Sequence, residues 1–297
     1  MARKVAVLLV NYQNWPDTLD CLHSLPAAKD ILKIVVDQKS SPAAAAKYKK
    51  LFPETKFIFL KDNVGFAAAN NLGIRYAQKN KFPYVFLLNN DTQVDQHTIN
   101  NLITFMEKNP RCGICSPVNY SAQTKNKIAF SGGAINLFTG QTPHRTDQPR
   151  QNRLTGFITG AAMFIRTKVF KTIGLMSEEY FLYYEDADFC QRLKKTAWEM
   201  WIVAQAKIWH KVSKTASQHP FIYYYCQRNR LEFFRKYGNF FQLLPFWFFF
   251  LKDFIPLILR GCLKPSKNHN RLNLLYSWQG LVDFFKHKTG KNYQLSD

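Results

Sequence analysis

Three groups of residues in this 297-residue chain have types and spacings that could do chemistry. The first is Asn89-Asn90-Asp91-Thr92, directly after the apolar run Tyr84-Val-Phe-Leu-Leu88. A carboxylate at a strand's end, facing a crevice, can hold Mg2+ or Mn2+ against substrate phosphates. Magnesium takes only one or two protein carboxylates and keeps its other positions for phosphate and water. Asn and Asp also favour plain turns, so the motif alone leaves that alternative open. The second group is Tyr183-Tyr-Glu185-Asp186-Ala-Asp188-Phe-Cys-Gln-Arg192. Its crowded carboxylates repel one another unless a cation, a helix N-terminus or a proton relieves them. Asp188 and Arg192 sit one helical turn apart and can pair. That leaves Glu185 and Asp186 as candidates for a general base, with an acidic first helical turn as the plain alternative. The third is His210, after Lys207-Ile-Trp209. Paired in space with Asp91 it would complete a divalent-cation site. A lone His is otherwise a structural or surface residue, and spacing along the chain does not bring the two together.

The elements that must position these groups alternate between two periods. Val5–Val10, Ile34–Val36, Lys56–Leu60 and Tyr84–Leu88 are apolar runs of strand length. Between them, 16–25, 43–51 and 66–78 read as helices, the first with Pro16 in its first turn. Apolar strands alternating with helices predict an α/β fold: an open, mostly parallel, Rossmann-like sheet covered on both faces. Ligands of such sheets bind outside the carboxyl ends of the strands, which directs attention to Asn11, Asp37, Asp62, Asn63 and Asp91. Residues 97–108 read as a helix, 139–153 as a polar, basic loop, and Gly160–Ile165 as a strand. The stretch 178–195 is a helix with an acidic start, Trp198–Trp209 holds one or two strands, and from Phe221 the chain is helical, aromatic and basic.

Composition bounds the function classes. Forty-one Lys and Arg against 20 Asp and Glu give a net charge of +21, which favours polyanionic partners. A hydrophobic content of 46% with 15% aromatics excludes a disordered tail protein. A nucleic-acid-binding protein would explain the charge, but no reading motif is evident and the charge is spread along the chain, so no nucleic-acid partner is expected. A sugar nucleotidyltransferase would carry a Gly-rich, Arg-containing loop after the first strand, where this chain has Asn11-Tyr-Gln-Asn-Trp15. Six cysteines with no secretory signal ahead of them predict free thiols in a cytoplasmic setting. Cys112-Gly-Ile-Cys115 has no second pair at metal spacing and reads as structural.

Taken together and in order, these blocks resemble the family 2 glycosyltransferases. They are Leu9-Val-Asn-Tyr12, Val35-Val-Asp37, Asp62-Asn-Val-Gly-Phe-Ala-Ala-Ala-Asn-Asn-Leu-Gly-Ile74, Leu87-Leu-Asn-Asn-Asp-Thr92, Gly160-Ala-Ala-Met-Phe-Ile-Arg166, Tyr180–Arg192 and His210. The resemblance covers residues 5 to about 237 and is nearest the rhamnosyltransferase-like enzymes of bacterial polysaccharide assembly, which Tyr223-Tyr-Tyr-Cys-Gln-Arg-Asn-Arg-Leu231 also resembles. It implies a GT-A fold and inverting transfer of a sugar from a nucleotide diphosphate sugar, dTDP-rhamnose or a UDP-hexose. The acceptor is expected to be a glycan or a prenyl-diphosphate-linked sugar. It further implies Asp37 at the pyrimidine with Asn11 and Tyr12 beside it, and Asp62, Asn63, Gly65, Asn70 and Asn90 around the nucleoside and sugar. Asp91 and His210 are the implied ligands of Mg2+ or Mn2+. Asp186 is the implied base with Glu185 beside it, and Gly160, Asp188 and Arg192 fall on the acceptor side. Gln38, Ser41-Pro42 and Met176-Ser177 depart from the family's pattern, which bears on base and donor selectivity.

The expected organisation is a catalytic domain over 1–237, with a nucleotide-binding half to 95 and a catalytic half from 96, followed by an extension over 238–297. In that extension Phe240–Leu251 and Phe254–Leu259 are strongly apolar, interrupted by Lys252-Asp253 and by Pro245 and Pro256. A spanning helix wants about 20 predominantly apolar residues. The interruptions instead predict a helix or broken hairpin lying in the interface of an anionic membrane, flanked by Lys and Arg, on its cytoplasmic side. Packing of these aromatics on the catalytic domain is the alternative.

Overall fold

A computed structural model describes residues 4–124, 126–211, 219–264 and 269–292. Among these residues ten strands form one sheet in the order β3-β2-β1-β4-β9-β6-β10-β5, with β7 (Ile128–Phe130) on β6 and β8 (Arg153–Leu154) on β10. The first four are β1 (Val5–Tyr12), β2 (Ile31–Gln38), β3 (Lys56–Leu60) and β4 (Tyr84–Asn89), all mutually parallel. β1 is buried on both faces because its side chains alternate between two cores. Val5, Val7 and Leu9 enter one, Ala6 and Leu8 the other. Helices α1 (Trp15–Ser24), α2 (Pro42–Leu51) and α3 (Phe66–Lys79) make the crossovers. α4 (Thr98–Lys108) covers β6 and β10.

The second half of the sheet departs from a pure parallel pattern. β9 (Ala162–Arg166) runs antiparallel between β4 and β6 (Cys112–Ser121), and β10 (Glu199–His210) runs parallel to β6. The tripeptide strand β5 (Thr92–Val94) then returns antiparallel along β10. The expectation of a mostly parallel sheet holds, but the strand β6 was hidden behind its CxxC signal. Both cysteines are buried strand residues, and all six cysteines are free thiols. The strands on either side of residue 95 belong to one continuous sheet.

Topology gathers the chemistry at one rim. β1, β2, β4, β6 and β10 all point the same way, so Tyr12, Gln38, Asn89 and His210 end at the same edge. β9 starts there, since Ala162 pairs with Leu88. Pairing of His210 with Thr92 sets the imidazole beside Asp91.

Helix α5 (Val169–Ile173) and a 3-10 turn (Glu178–Tyr180) lead to α6 (Glu185–Leu193). Three further helices close the molecule: α7 (Phe221–Tyr237), α8 (Phe240–Leu263) and α9 (Asn270–Phe285). α8 begins with a capping box on Asn239 and Gln242 and runs unbroken through Pro245 and Pro256. Its Phe246, Phe250 and Phe254, one turn apart, pack onto Leu231 and Phe234 of α7, with Phe234 and Phe246 stacked at 3.8 Å. Arg230 lies against the Phe246 and Phe250 rings and pairs with Asp253 at 2.8 Å. The opposite stripe, Phe241, Leu244, Phe248, Leu251, Ile255 and Leu259, is exposed at helical spacing; Phe241 is 84% and Leu244 82% accessible. On α9, Leu272, Leu275, Trp278 and Phe285 are exposed as well. α8 is, by length and composition, the one helix among the described residues that could cross a membrane.

Candidate active site

A cleft of about 660 Å³ opens over the strand ends. Its walls come from the tips of β1, β2 and β4, from the segment before β9, from the start of α6, from α7 and from Lys291 and Asn292. Tyr12, Asn63, Gly65, Asn90, Asp91, Gly160, Glu185, Asp186 and His210, widely separated in the chain, all line it.

One end is built on β1, β2 and β4. Asn11 and Asp37 are fully buried register partners joined by an Asn11 Nδ2 hydrogen bond to Asp37 Oδ1 of 2.5 Å. Asp37 Oδ2 has no hydrogen-bond partner. These two sit behind the lining, where Tyr12, Asn14 and Gln38 stand instead. Gln38, a departure from the family's pattern, uses its Oε1 to accept from Val64 N at 2.8 Å and so fixes the 63–65 turn. Gly65 has φ +88°, and a Cβ there would lie 2.5 Å from the Phe181 carbonyl oxygen. Only glycine combines that backbone with that approach. Asn90 Nδ2 donates to Thr18 Oγ1 at 2.8 Å.

At the middle of the rim, Asp91 Oδ1 lies 2.9 Å from His210 Nε2. The approach lacks hydrogen-bond geometry, and Oδ1 is buried with no hydrogen-bond partner. Asn89 Nδ2 is 3.3 Å from the same ring nitrogen. Two adjacent ligand atoms on an octahedral cation with bonds of about 2.1 Å stand roughly 3 Å apart. An orphaned carboxylate oxygen and an imidazole nitrogen at this separation therefore fit Mg2+ or Mn2+. Among the described residues no group of three or more His, Cys, Asp and Glu could hold a metal ion. A pair of protein ligands suits a cation that shares its shell with phosphate and water.

The far wall is the N-terminus of α6. Gly160 N donates to Asp186 Oδ2 at 2.9 Å and Ala187 N to Oδ1 at 2.8 Å. Burial raises the Asp186 carboxyl above its ordinary range, and the Gly160 and Ala187 hydrogen bonds pull part of that back. Glu185 is offset less, by its own backbone N–H. Burial and the neighbouring Asp186 charge push it well above the usual range, and its Oε2 has no partner. The paired carboxyls are thus driven apart, with Asp186 the readier to ionise.

The turn that delivers this helix is strained. Phe181, Tyr183 and Tyr184 all have positive φ, at 62°, 66° and 73°. Such a conformation costs bulky residues on the order of 1–3 kcal/mol each and concentrates at functional sites.

Four expected residues stand elsewhere. Asp62 is exposed outside the cleft. Asn70 turns inward and donates to the Phe66 carbonyl of its own helix at 2.9 Å. Asp188 and Arg192 were expected on the acceptor side, but both are structural. Asp188 is fully buried and receives Arg192 Nε at 2.7 Å, Tyr237 OH at 2.7 Å and Lys236 Nζ at 2.8 Å. Burial opposes ionisation of Asp188, yet Arg192, Lys236 and Tyr237 outweigh it and hold its pKa below the usual carboxylate range. Arg192 also donates to the Ile173 and Leu175 carbonyls. Conversely, Asn14, Phe181, Tyr225, Lys291 and Asn292 line the cleft without having been singled out. Only long-range docking places them there, so no local pattern marks them.

The chain is similar in sequence and in fold to known glycosyltransferases. The sequence is 25% identical over 199 residues to the low-salt glycan biosynthesis hexosyltransferase Agl10 of Haloferax volcanii, covering 66% of this chain and 63% of that protein. It is 24% identical over 248 residues to the N-acetylglucosaminyl-diphospho-decaprenol L-rhamnosyltransferase of Mycobacterium tuberculosis, covering 74% and 80%. This chain thus spans less than two thirds of the Haloferax protein's length. The mannosyltransferase PcManGT of Pyrobaculum calidifontis, solved with GDP-Man and Mn2+, superposes with a TM-score of 0.57 at 14% identity over 97% of this chain and 88% of its own. The shared architecture is the GT-A fold. The sequence model described as glycosyl transferase family 2 matches residues 6–174, more than half of the chain and every strand from β1 to β9, so this protein belongs to that family.

Proposed function

We propose that this protein is an inverting, metal-dependent hexosyltransferase. It moves a sugar from dTDP-rhamnose or a UDP-hexose to a hydroxyl of a glycan or prenyl-diphosphate-linked acceptor, in the assembly of a cell-surface polysaccharide. The observation that carries this reading is the convergence of Asp91–His210 and Glu185–Asp186 on one cleft. The relatives' transfer of hexose and rhamnose supports the choice of donors, and the diphospho-decaprenol in one relative's name supports the lipid-linked acceptor.

Asp186, ionised, accepts the proton of the acceptor hydroxyl as that oxygen attacks the anomeric carbon. Gly160 N and Ala187 N hold the carboxylate in place for this. Attack from the side opposite the diphosphate inverts the anomeric configuration. Burial and the neighbouring Asp186 charge disfavour the ionised form of Glu185, which holds down the negative charge of the pair. Asp91 and His210 would hold a divalent cation, which supplies Lewis-acid stabilisation of the diphosphate charge.

The exposed stripes of α8 and α9 support a resting place on the cytoplasmic face of a membrane. Apolar side chains along one helix face, with Lys252, Arg260, Lys264 and Arg271 exposed nearby, suit an anionic interface.

The reading is tested by incubating the full chain with labelled nucleotide sugars and a prenyl-diphosphate-linked acceptor, with Mn2+ or with EDTA. The expected result is metal-dependent release of nucleoside diphosphate and a product of opposite anomeric configuration by NMR. Pyrophosphate release from a nucleoside triphosphate and a sugar phosphate would replace it with the nucleotidyltransferase reading.

A further inference from the structure

Asn229 of α7 is buried, 1% accessible, and lies outside the matched family region. Its single amide nitrogen donates to three backbone carbonyls: Tyr180 at 2.9 Å, Leu182 at 2.8 Å and Tyr183 at 2.9 Å. Those carbonyls belong to the turn that ends at Tyr184, the residue before α6, in which Phe181, Tyr183 and Tyr184 have positive φ. An amide has only two N–H donors, so the three acceptors share them, and no other side chain of this size could close all three. The orientation of the amide is fixed in turn: Arg228 Nε donates to Asn229 Oδ1 at 3.0 Å, and Arg228 Nη2 reaches the Tyr180 carbonyl at 3.1 Å. Arg228 Nη1 also donates to the Gly290 carbonyl at 2.7 Å, while Gly290 N donates to Glu179 O at 2.6 Å. The segment after α9 therefore braces the same turn from the outside.

We infer that Asn229 is a positioning residue for the transfer reaction, setting the carboxyl of Asp186 by holding the turn that launches its helix. The inference rests on the reading of Asp186 as the base. Positive φ at the bulky Phe181, Tyr183 and Tyr184 is disfavoured by local sterics, so the turn keeps its shape only while its carbonyls converge on one donor. Release of that donor lets the first turn of α6 drift, and Asp186 is its second residue. Most of the donor-side groups stand on β1, β2, β4 and β10, and the brace reaches the donor side only where Phe181 meets Gly65. Loss of Asn229 is therefore expected to act on turnover more than on donor affinity.

The test compares Asn229→Ala, Arg228→Lys and Ser277→Ala in the full chain, by initial rates of transfer and by calorimetric donor affinity in Mn2+. Ser277→Ala removes a buried hydrogen bond, Ser277 Oγ to Asn273 O at 2.8 Å, in the same helical module but off the turn. A misplacement of the reacting group by about 1 Å costs on the order of 100-fold in rate. Asn229→Ala is expected to lower kcat by about 10- to 100-fold, with the donor Kd within about threefold. Arg228→Lys, which frees the amide to turn over, is expected to lower kcat by a smaller factor with the same split. Ser277→Ala is expected to leave kcat unchanged. If Asn229→Ala does not fold, Arg228→Lys carries the test alone. Wild-type kcat in a folded Asn229→Ala or Arg228→Lys would overturn the inference. So would equal losses of kcat and donor affinity, or a Ser277→Ala loss of the same size. Failure of the wild-type chain to transfer any sugar would instead overturn the reading beneath it.

Discussion

Replacing Asp186 by Asn probes the chemistry most directly. The two carboxylate oxygens each receive one backbone N–H, from Gly160 at 2.9 Å and Ala187 at 2.8 Å. Asn keeps one oxygen and sets an NH2 group against the other N–H. An unsatisfied buried donor costs about 1–3 kcal/mol, offset in part by removal of a buried charge beside Glu185. The variant therefore folds with stability near that of the wild type. Catalysis has no such compensation, because the amide cannot accept the hydroxyl proton. Loss of a positioned general base lowers rate by about 10²–10⁴, equivalent to about 2.7–5.4 kcal/mol of barrier. The pH dependence supplies an independent check. Burial raises the folded pKa of Asp186, so wild-type kcat falls as pH drops through a value above the ordinary aspartate range. Donor binding, measured by calorimetry, should be unchanged in the variant, while nucleoside diphosphate release in the presence of acceptor should collapse at every pH. Turnover within about threefold of wild type, with the same acid limb, would refute the assignment and the reasoning from Gly160 and Ala187.

Other outcomes follow from neighbouring features. Asp91→Ala should abolish the gain in donor affinity that Mn2+ gives, read by calorimetry with and without EDTA; unchanged affinity in both conditions counts against the Asp91–His210 pair. Glu185→Gln should raise Tm at neutral pH, because the folded state disfavours the ionised carboxylate that the unfolded chain prefers there; this gain should shrink as pH falls through the raised folded pKa and vanish below the unfolded value near 4.3. A gain that persisted at low pH would show that charge is not its cause. Gly65→Ala should cost about 1–3 kcal/mol in urea unfolding and weaken donor binding, since its Cβ meets Phe181 at 2.5 Å. Changing Phe241, Leu244 and Phe248 together to Ser should leave transfer to a soluble acceptor intact and reduce flotation with anionic liposomes. Equal flotation would remove the role proposed for that stripe.

The sequence by itself determined the layered α/β sheet, because apolar strand runs and helix periods alternate without ambiguity from Val5 to Asn89. It also marked Asp91, Glu185, Asp186 and His210, whose types and contexts carry chemistry even before they are placed. It left β6 illegible, since Cys112-Gly-Ile-Cys115 has neither alternation nor a strongly β-branched run. It foresaw the Asp188–Arg192 pair, but not that Tyr237 and Lys236 close on the same carboxylate from a helix some 48 residues away. Tertiary structure alone decided which acidic residues share a cleft, because only the antiparallel pairing of Thr92 with His210 brings imidazole to carboxylate. It alone decided that the C-terminal helices turn one stripe onto α7 and the other to solvent, and that Asn229 and Gly290 grip the turn before Asp186. Local preference governs strands and helices through a few neighbouring residues. The site depends on contacts between distant segments, whose register follows from the packing of the whole chain.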